Sequence, residues 1–270
     1  WEGGRLRTER LRRLGAITLT TTPGAPPGPT AVADAVVARV RAEGTDAGLA
    51  VLPWDEEALS LRARLALLHE HLGEPWPDMS DAALAERAEE WLAPAVASLA
   101  GGSGGPGRSG ESASSGSSGR RFNLERLDMA QALRALLPWP QAARLDELVP
   151  ERLEVPSGSQ VPVDYTAVVG GAGPVDPAEA GRVGRPVLAV RVQECFGWAA
   201  TPRIVEGRVA VLLHLLSPAR RPVAVTDDLA SFWEQGYPQV RAEMRGRYPK
   251  HAWPEDPWNT PATRGTRRRR

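Results

Sequence analysis

The stretch that most limits what this chain can fold into is GGSGGPGRSGESASSGSSG at 101–119. It holds no residue both large and apolar, so it cannot offset the entropy of being ordered and is expected to be a flexible insertion. Whatever core the chain builds must come from the sequence on either side. Hydrophobic residues make up 42% of the 270 positions, which is enough for one large domain or two modest ones.

The two sides differ in apolar period. Before the insertion the pattern is helical. Residues 5–21, RLRTERLRRLGAITLTT, alternate loosely and end in threonines, which reads as a β-arm or hairpin over 1–22. PGAPPGP then stops it, and Thr30 is placed to cap a helix running to about Glu43. Asp55 follows the first LPW as the cap of a long helix carrying Leu59, Leu61, Leu65, Leu68 and Leu72. Ser80 caps another, with Trp91 and Leu92, which Pro94 is expected to close. Beyond the insertion, Asn123 is placed to cap LERLDMAQALRALL up to the second LPW. A helical accessory region over 30–148 results.

From residue 151 the period shortens to that of strands. RLEVPSGSQVPVDY reads as a hairpin turned at Ser157–Ser159, PVLAVRVQECFG as a buried strand, RIVEGRVAVLLHLLS as two strands, and RPVAVTDD as one more. Several short strands suit a small OB-like barrel over 151–226, with a second flexible loop at 168–184. Asp227 and Pro238 then open two helices of an extension over 227–258, and 259–270 reads as a disordered basic tail. The fold class expected is therefore α+β: a helical bundle, an OB-like barrel and a helical C-terminal extension.

Charge and motifs narrow the chemistry. Thirty-three basic and 33 acidic residues cancel, yet residues 1–22 carry five arginines against two acids and residues 241–270 nine basic residues against three. The middle is acidic and the ends are basic, which suits phosphate contact at the ends. Cys195 is the single cysteine, so no intramolecular disulfide and no thiolate metal cluster can form, and a cytoplasmic setting is expected. No apolar run reaches the roughly 20 residues that a membrane helix needs. The G-x-S-x-G and G-x-G-x-x-G spellings at 101–107 lack the strand and helix that would aim a serine or a phosphate-binding amide. Lys250, the only lysine, stands between Pro249 and His251, so no phosphate loop exists and no catalytic residue or metal site is assigned. His69 and His71, two apart on a helix, point to different sides, His214 reads as a hydrogen-bonded core or edge residue, and Cys195 reads as a small core hydrophobe.

One stretch does carry binding chemistry. MRGRYPKHAWPEDP, 244–257, interleaves Arg245, Arg247, Lys250 and His251 with Tyr248 and Trp253. Two readings stand side by side: cations on phosphates with an aromatic ring on an unpaired base, or a proline-stiffened tail whose rings pack on the domain. The proline spacing predicts Tyr248 and Trp253 at least partly buried and Arg245, Arg247 and Lys250 as the contacts.

Several stretches in order resemble the C-terminal region of the HrpB family, bacterial ATP-dependent helicases of DEAH-box type: LPW before LRARLALLHEHLGEPWPDMSDAAL, ALLPWPQAARLDELVPERLEVPSGSQVPVDY, VLAVRVQECFG, LLHLLSPARRPVAVTDDLASFW and VRAEMRGRYPKHAWPEDP. The resemblance spans nearly the whole chain except the loops at 101–119 and 168–184 and the tail. It implies an accessory region of an RNA helicase, a hydrolase whose RecA-like ATPase domains, ATP and magnesium lie in a part that this chain lacks. Single-stranded RNA or another nucleic acid, the motor domains and a further protein are the implied partners, with no membrane. A protein-interaction or scaffold module without nucleic-acid contact is the alternative.

Overall fold

The computed structural model describes residues 6, 8–25, 27–42, 45–102, 122–169 and 184–266. Most of the Gly/Ser tract, most of the loop expected at 168–184, and the last four arginines lie outside these residues. The chain divides into two compact units, Trp1–Leu61 with Asp78–Pro138, and Arg62–Pro77 with Trp139–Arg270. No helix among the described residues is long and apolar enough to cross a membrane.

The first unit opens with an antiparallel ribbon of β1 (Glu9–Leu14) and β2 (Ile17–Pro23), exposed along both strands. Leu14 and Ile17 at its tip are 69% and 66% exposed. Helix α1 (Pro29–Ala42) buries Val32, Val36, Val37 and Val40, one stripe at helical spacing. The short α2 (Thr45–Ala50) leads to α3 (Glu56–Leu72), whose residues Glu56–Leu61 count with this unit. Asp55 accepts from the Ala58 amide at 2.8 Å, which is the cap that α3 needs at its start. Ser80 accepts from the Ala83 amide and caps α4 (Asp81–Glu86).

Helix α5 (Ala88–Gly101) departs from expectation, because it passes through Pro94 instead of ending there. Proline deletes one amide donor, but Trp91, Leu92 and Val96 are fully buried on either side of it, and that packing outweighs the lost bond. The end comes at Gly102, which takes the left-handed conformation with φ 68°. Trp91 donates from Nε1 to the Leu84 carbonyl and lies against Trp54 with ring centroids 6.4 Å apart. Beyond the insertion the expected single helix is broken. Asn123 caps only a 3-10 turn, Leu124–Arg126, and Asp128 starts α6 (Met129–Arg134) by accepting from the Gln131 amide. Two capping side chains close together start two short elements instead of one long one.

The second unit holds the rest of α3, helix α7 (Trp139–Leu148) and the main sheet. Strands β3 (Arg152–Glu154), β4 (Gln160–Asp164), β5 (Val187–Arg191), β8 (Leu212–Leu216) and β9 (Pro222–Thr226) lie in the order β3-β4-β5-β8-β9. Only β5 and β8 run parallel, and a four-residue helix α8 (Thr166–Val169) follows β4. Between β5 and β8 come a 3-10 turn, Val192–Glu194, and a separate ribbon of β6 (Arg203–Ile204) and β7 (Val209–Ala210).

This corrects the expected OB-like barrel. β3 and β9 are the two edges of an open sheet and do not pair among the described residues, while β6 and β7 pair only with each other. Alternation along the strands marks buried residues correctly, as Val163, Leu188, Val190, Leu213 and Leu215 show. It says nothing about which strands pair.

Two side chains tie the base of this unit together. Arg64, 3% exposed, donates from Nε to the Val149 carbonyl at 2.7 Å, from Nη1 to Glu151 at 3.0 Å, and from Nη2 to Asp146. Tyr165 donates from its hydroxyl to the Pro150 carbonyl at 2.8 Å. Phe196, Phe232, Trp233 and Tyr237 pack in tilted and edge-on contacts with centroids 5.1–6.4 Å apart.

Candidate nucleic-acid interface

The basic stretch singled out in the sequence is built onto that aromatic cluster. Asp228, one residue beyond the expected Asp227, caps α9 (Leu229–Ser231) through the Ser231 amide, and a π-helical turn, Phe232–Gly236, leads into α10 (Tyr237–Arg247). Pro238 sits in the first turn of α10, where its missing amide costs nothing. Tyr237 and Met244 are the buried residues of this helix.

Beyond α10 the chain folds back and is fastened at several points. The Trp253 indole donates to the Tyr248 carbonyl at 3.0 Å, and Arg241 donates to the Trp253 carbonyl at 3.1 Å and to Glu255 at 2.8 Å. Tyr237 donates from its hydroxyl to the Pro254 carbonyl at 3.0 Å, and the Gly197 amide donates to the Pro257 carbonyl at 2.9 Å. Asp256 accepts from the amides of Trp258 and Asn259 and from the Asn259 side chain. The Asn259 side-chain and backbone bonds hold the Asp256 carboxyl below the ordinary carboxylate value.

Six residues were candidates, and the structure separates them. Arg245, Arg247 and Lys250 are exposed, with Arg247 sharing its charge with Glu243 at 3.6 Å. Tyr248 and His251 are half-buried and meet edge-on with centroids 6.2 Å apart. Partial burial, reinforced by the charge of Arg191, holds the His251 imidazole below its ordinary value. Trp253 is 4% exposed with its indole N–H engaged, so it has no free face on which a base could stack. Its role is to anchor the tail. Arg245 and Arg247 also stand in the last turn of α10, where positive charge favours the helix regardless of any ligand.

Sequence reasoning passed over Arg191, Arg241 and Arg264. Arg241 fastens the tail, and Arg191 donates to the Arg264 carbonyl at 3.0 Å. Apart from Glu194 beside Arg191, their partners lie 12 to 107 residues away, so no local pattern marks them. The residues from 259 onward, expected as a disordered tail, are likewise held as far as they are described. The Thr263 amide donates to the Gln193 carbonyl at 2.9 Å, and Arg264 Nε donates to the Ser157 carbonyl at 2.9 Å. Among the described residues no group of three or more His, Cys, Asp or Glu side chains is placed to hold a metal ion.

Comparison with known proteins gives consistent matches. Residues 115–257 match the family described as ATP-dependent helicase C-terminal, HrpB_C. The ATP-dependent RNA helicase HrpB of Escherichia coli K12 is 38% identical over 269 residues, which is 98% of this chain and 28% of that protein. Two crystal structures of E. coli HrpB superpose. One, of the DExH-box NTPase HrpB, has a TM-score of 0.69 and 36% identity over 96% of this chain and 27% of that one. The other, of the DEAH/RHA helicase HrpB, has a TM-score of 0.60 and 34% identity over 91% of this chain and 26% of that one. This chain thus spans little more than a quarter of the relatives it matches.

Proposed function

Because this chain belongs to the HrpB-type family of ATP-dependent helicase C-terminal regions, we propose that it is the accessory end of such a helicase and holds single-stranded RNA through Arg245, Arg247 and Lys250. The observation that supports this reading is the pairing of exposed cations with a rigid mount. The three charges project from a segment fastened by Tyr237, Arg241, Trp253 and Pro257, so little side-chain and loop entropy is lost when phosphate arrives. A helicase motor, with its ATP and magnesium, belongs to the remainder of a longer protein working in the cytoplasm. Lys250, the only lysine, stands exposed beyond α10 and not behind a glycine-rich loop, so no step through ATP is assigned to this chain.

The test is fluorescence anisotropy with a labelled 12-nucleotide RNA at low salt. Replacing Arg245, Arg247 and Lys250 together by Ala is expected to weaken binding at least about tenfold and to flatten the salt dependence by about 0.7 per lost phosphate contact. Undetectable binding by the parent, or an unchanged constant in the triple variant, overturns the reading.

One observation favours protein docking as a second role: Trp139, at the start of α7, is 85% exposed. If Trp139 anchors a protein, binding to the motor portion of HrpB survives nuclease treatment and is lost in Trp139→Ala.

A further inference from the structure

Among the described residues, four buried side-chain polar atoms have no hydrogen-bond partner in the protein: Gln141 Oε1, both polar atoms of Gln193, and Thr263 Oγ1. Three of the four therefore lie where the Thr263 amide meets the Gln193 carbonyl. Gln193 is 2% exposed, in the 3-10 turn after β5, and its carbonyl accepts from the Thr263 amide of the segment 259–266. Burying an unpaired amide and hydroxyl opposes closure of that seam.

Little else holds the segment down. Along it Asn259, Pro261, Arg264, Gly265 and Thr266 are exposed, and no residue is fully buried. Its ties beyond its own turn are the Thr263 amide on Gln193, Arg264 Nε on the Ser157 carbonyl, and the Arg264 carbonyl accepting from Arg191 Nη1. The last tie is informative. A backbone carbonyl takes from Arg191 what a phosphate oxygen would take.

We propose that residues 259–266 form a displaceable strap, and that the seam beneath it, Arg191 with the Gln193 amide, is a site for a phosphodiester of single-stranded nucleic acid. Lifting the strap frees Arg191 Nη1 and uncovers the two unpaired Gln193 N–H groups, donors suited to a ligand whose oxygens only accept. The charged groups facing the site are Arg264 on the strap, His251 within the field of Arg191, and the Glu194 carboxylate. Glu194 accepts from Ser157 Oγ at 2.9 Å and stands 3.7 Å from Arg191, so its charge is already partly neutralised. The ligand rests on the RNA reading given above, whereas the lability of the strap does not.

Two measurements test it separately. In hydrogen exchange on the full chain, the Thr263 amide is expected to exchange faster than the Tyr248 amide. Gln193→Leu, which removes two of the seam's three unpaired atoms, should slow Thr263 exchange by about tenfold. Faster exchange in that variant would mean that the Gln193 side chain is satisfied in solution, and would overturn the strap. For the site, Thr263→Pro deletes the amide tie and leaves every charge in place, so a U12 oligonucleotide should bind at least about threefold tighter than to the parent. Adding Arg191→Met should abolish that gain. No gain in Thr263→Pro, or a gain that survives Arg191→Met, overturns the site even where the Arg245, Arg247 and Lys250 variant confirms RNA binding elsewhere.

Discussion

Arg64 and its two carboxylates show how unequal the partners of an ion pair can be. The arginine side chain is 3% exposed, whereas those of Asp146 and Glu151 are 82% and 65% exposed. Replacing Arg64 by Met leaves two solvated acids and a lost bond to the Val149 carbonyl, which should cost about 1–3 kcal/mol. Replacing both acids, as Asp146→Asn with Glu151→Gln, leaves a buried guanidinium short of its charge partners. That should cost more, about 3–5 kcal/mol. Urea unfolding of the two variants checks the order, and a larger loss in Arg64→Met would refute it. At this scale sequence reading was uneven. Asp55 and Ser80 announce themselves as caps because their partners are three residues away, whereas the partners of Arg64 are about 85 residues away. The two LPW turns have the same spelling and opposite outcomes. Trp54 packs on Trp91, and Trp139 is 85% exposed.

Among elements, the helices that follow their caps were legible and the helix that defies its proline was not. Asp55→Ala should destabilise the chain by about 1 kcal/mol through the loss of one capped amide at the start of α3, measured as a lower urea midpoint with an unchanged slope. No change at all would mean that water replaces the cap at no cost. The hairpin turned at Ser157–Ser159 was readable for a local reason: Gly158 takes φ 74°, which glycine adopts without strain. The turn between β6 and β7 was readable only in part. Gly207 marks it, but Val205 and Glu206 also take positive φ, at 53° and 55°. Val205 is fully buried and its amide donates to the Leu148 carbonyl, so tertiary contacts hold a conformation that a β-branched residue disfavours.

For the whole molecule, three groups shift with pH in the same direction. His251, Asp228 and Asp256 all have lowered values in the fold, the first through partial burial and the two acids chiefly through side-chain hydrogen bonds from Ser231 and Asn259. In each case the unfolded chain binds the proton more readily, so stability rises with pH across each titration. The His251 contribution is complete above its ordinary value of 6.5 and is lost as pH falls from there through the folded value. The aspartate contributions are complete above 3.8 and are lost in the same way below it. Melting temperature measured from pH 8 to pH 3 should therefore decline in two stages, and His251→Gln should remove the upper one. An upper stage that persists in the variant would place it on another group.

The starts of α3 and α4 and the alternation of the strands were determined by the sequence itself, since each depends on residues within a turn or two of one another. So was the family, which rests on several ordered stretches. Three things were decided only by tertiary structure: an open sheet in place of a barrel, the ties of Arg64 to Val149 and Glu151, and the fastening of 259–266 across Gln193. Each depends on contacts between residues far apart in the chain, and local preference carries no information about which distant partner wins.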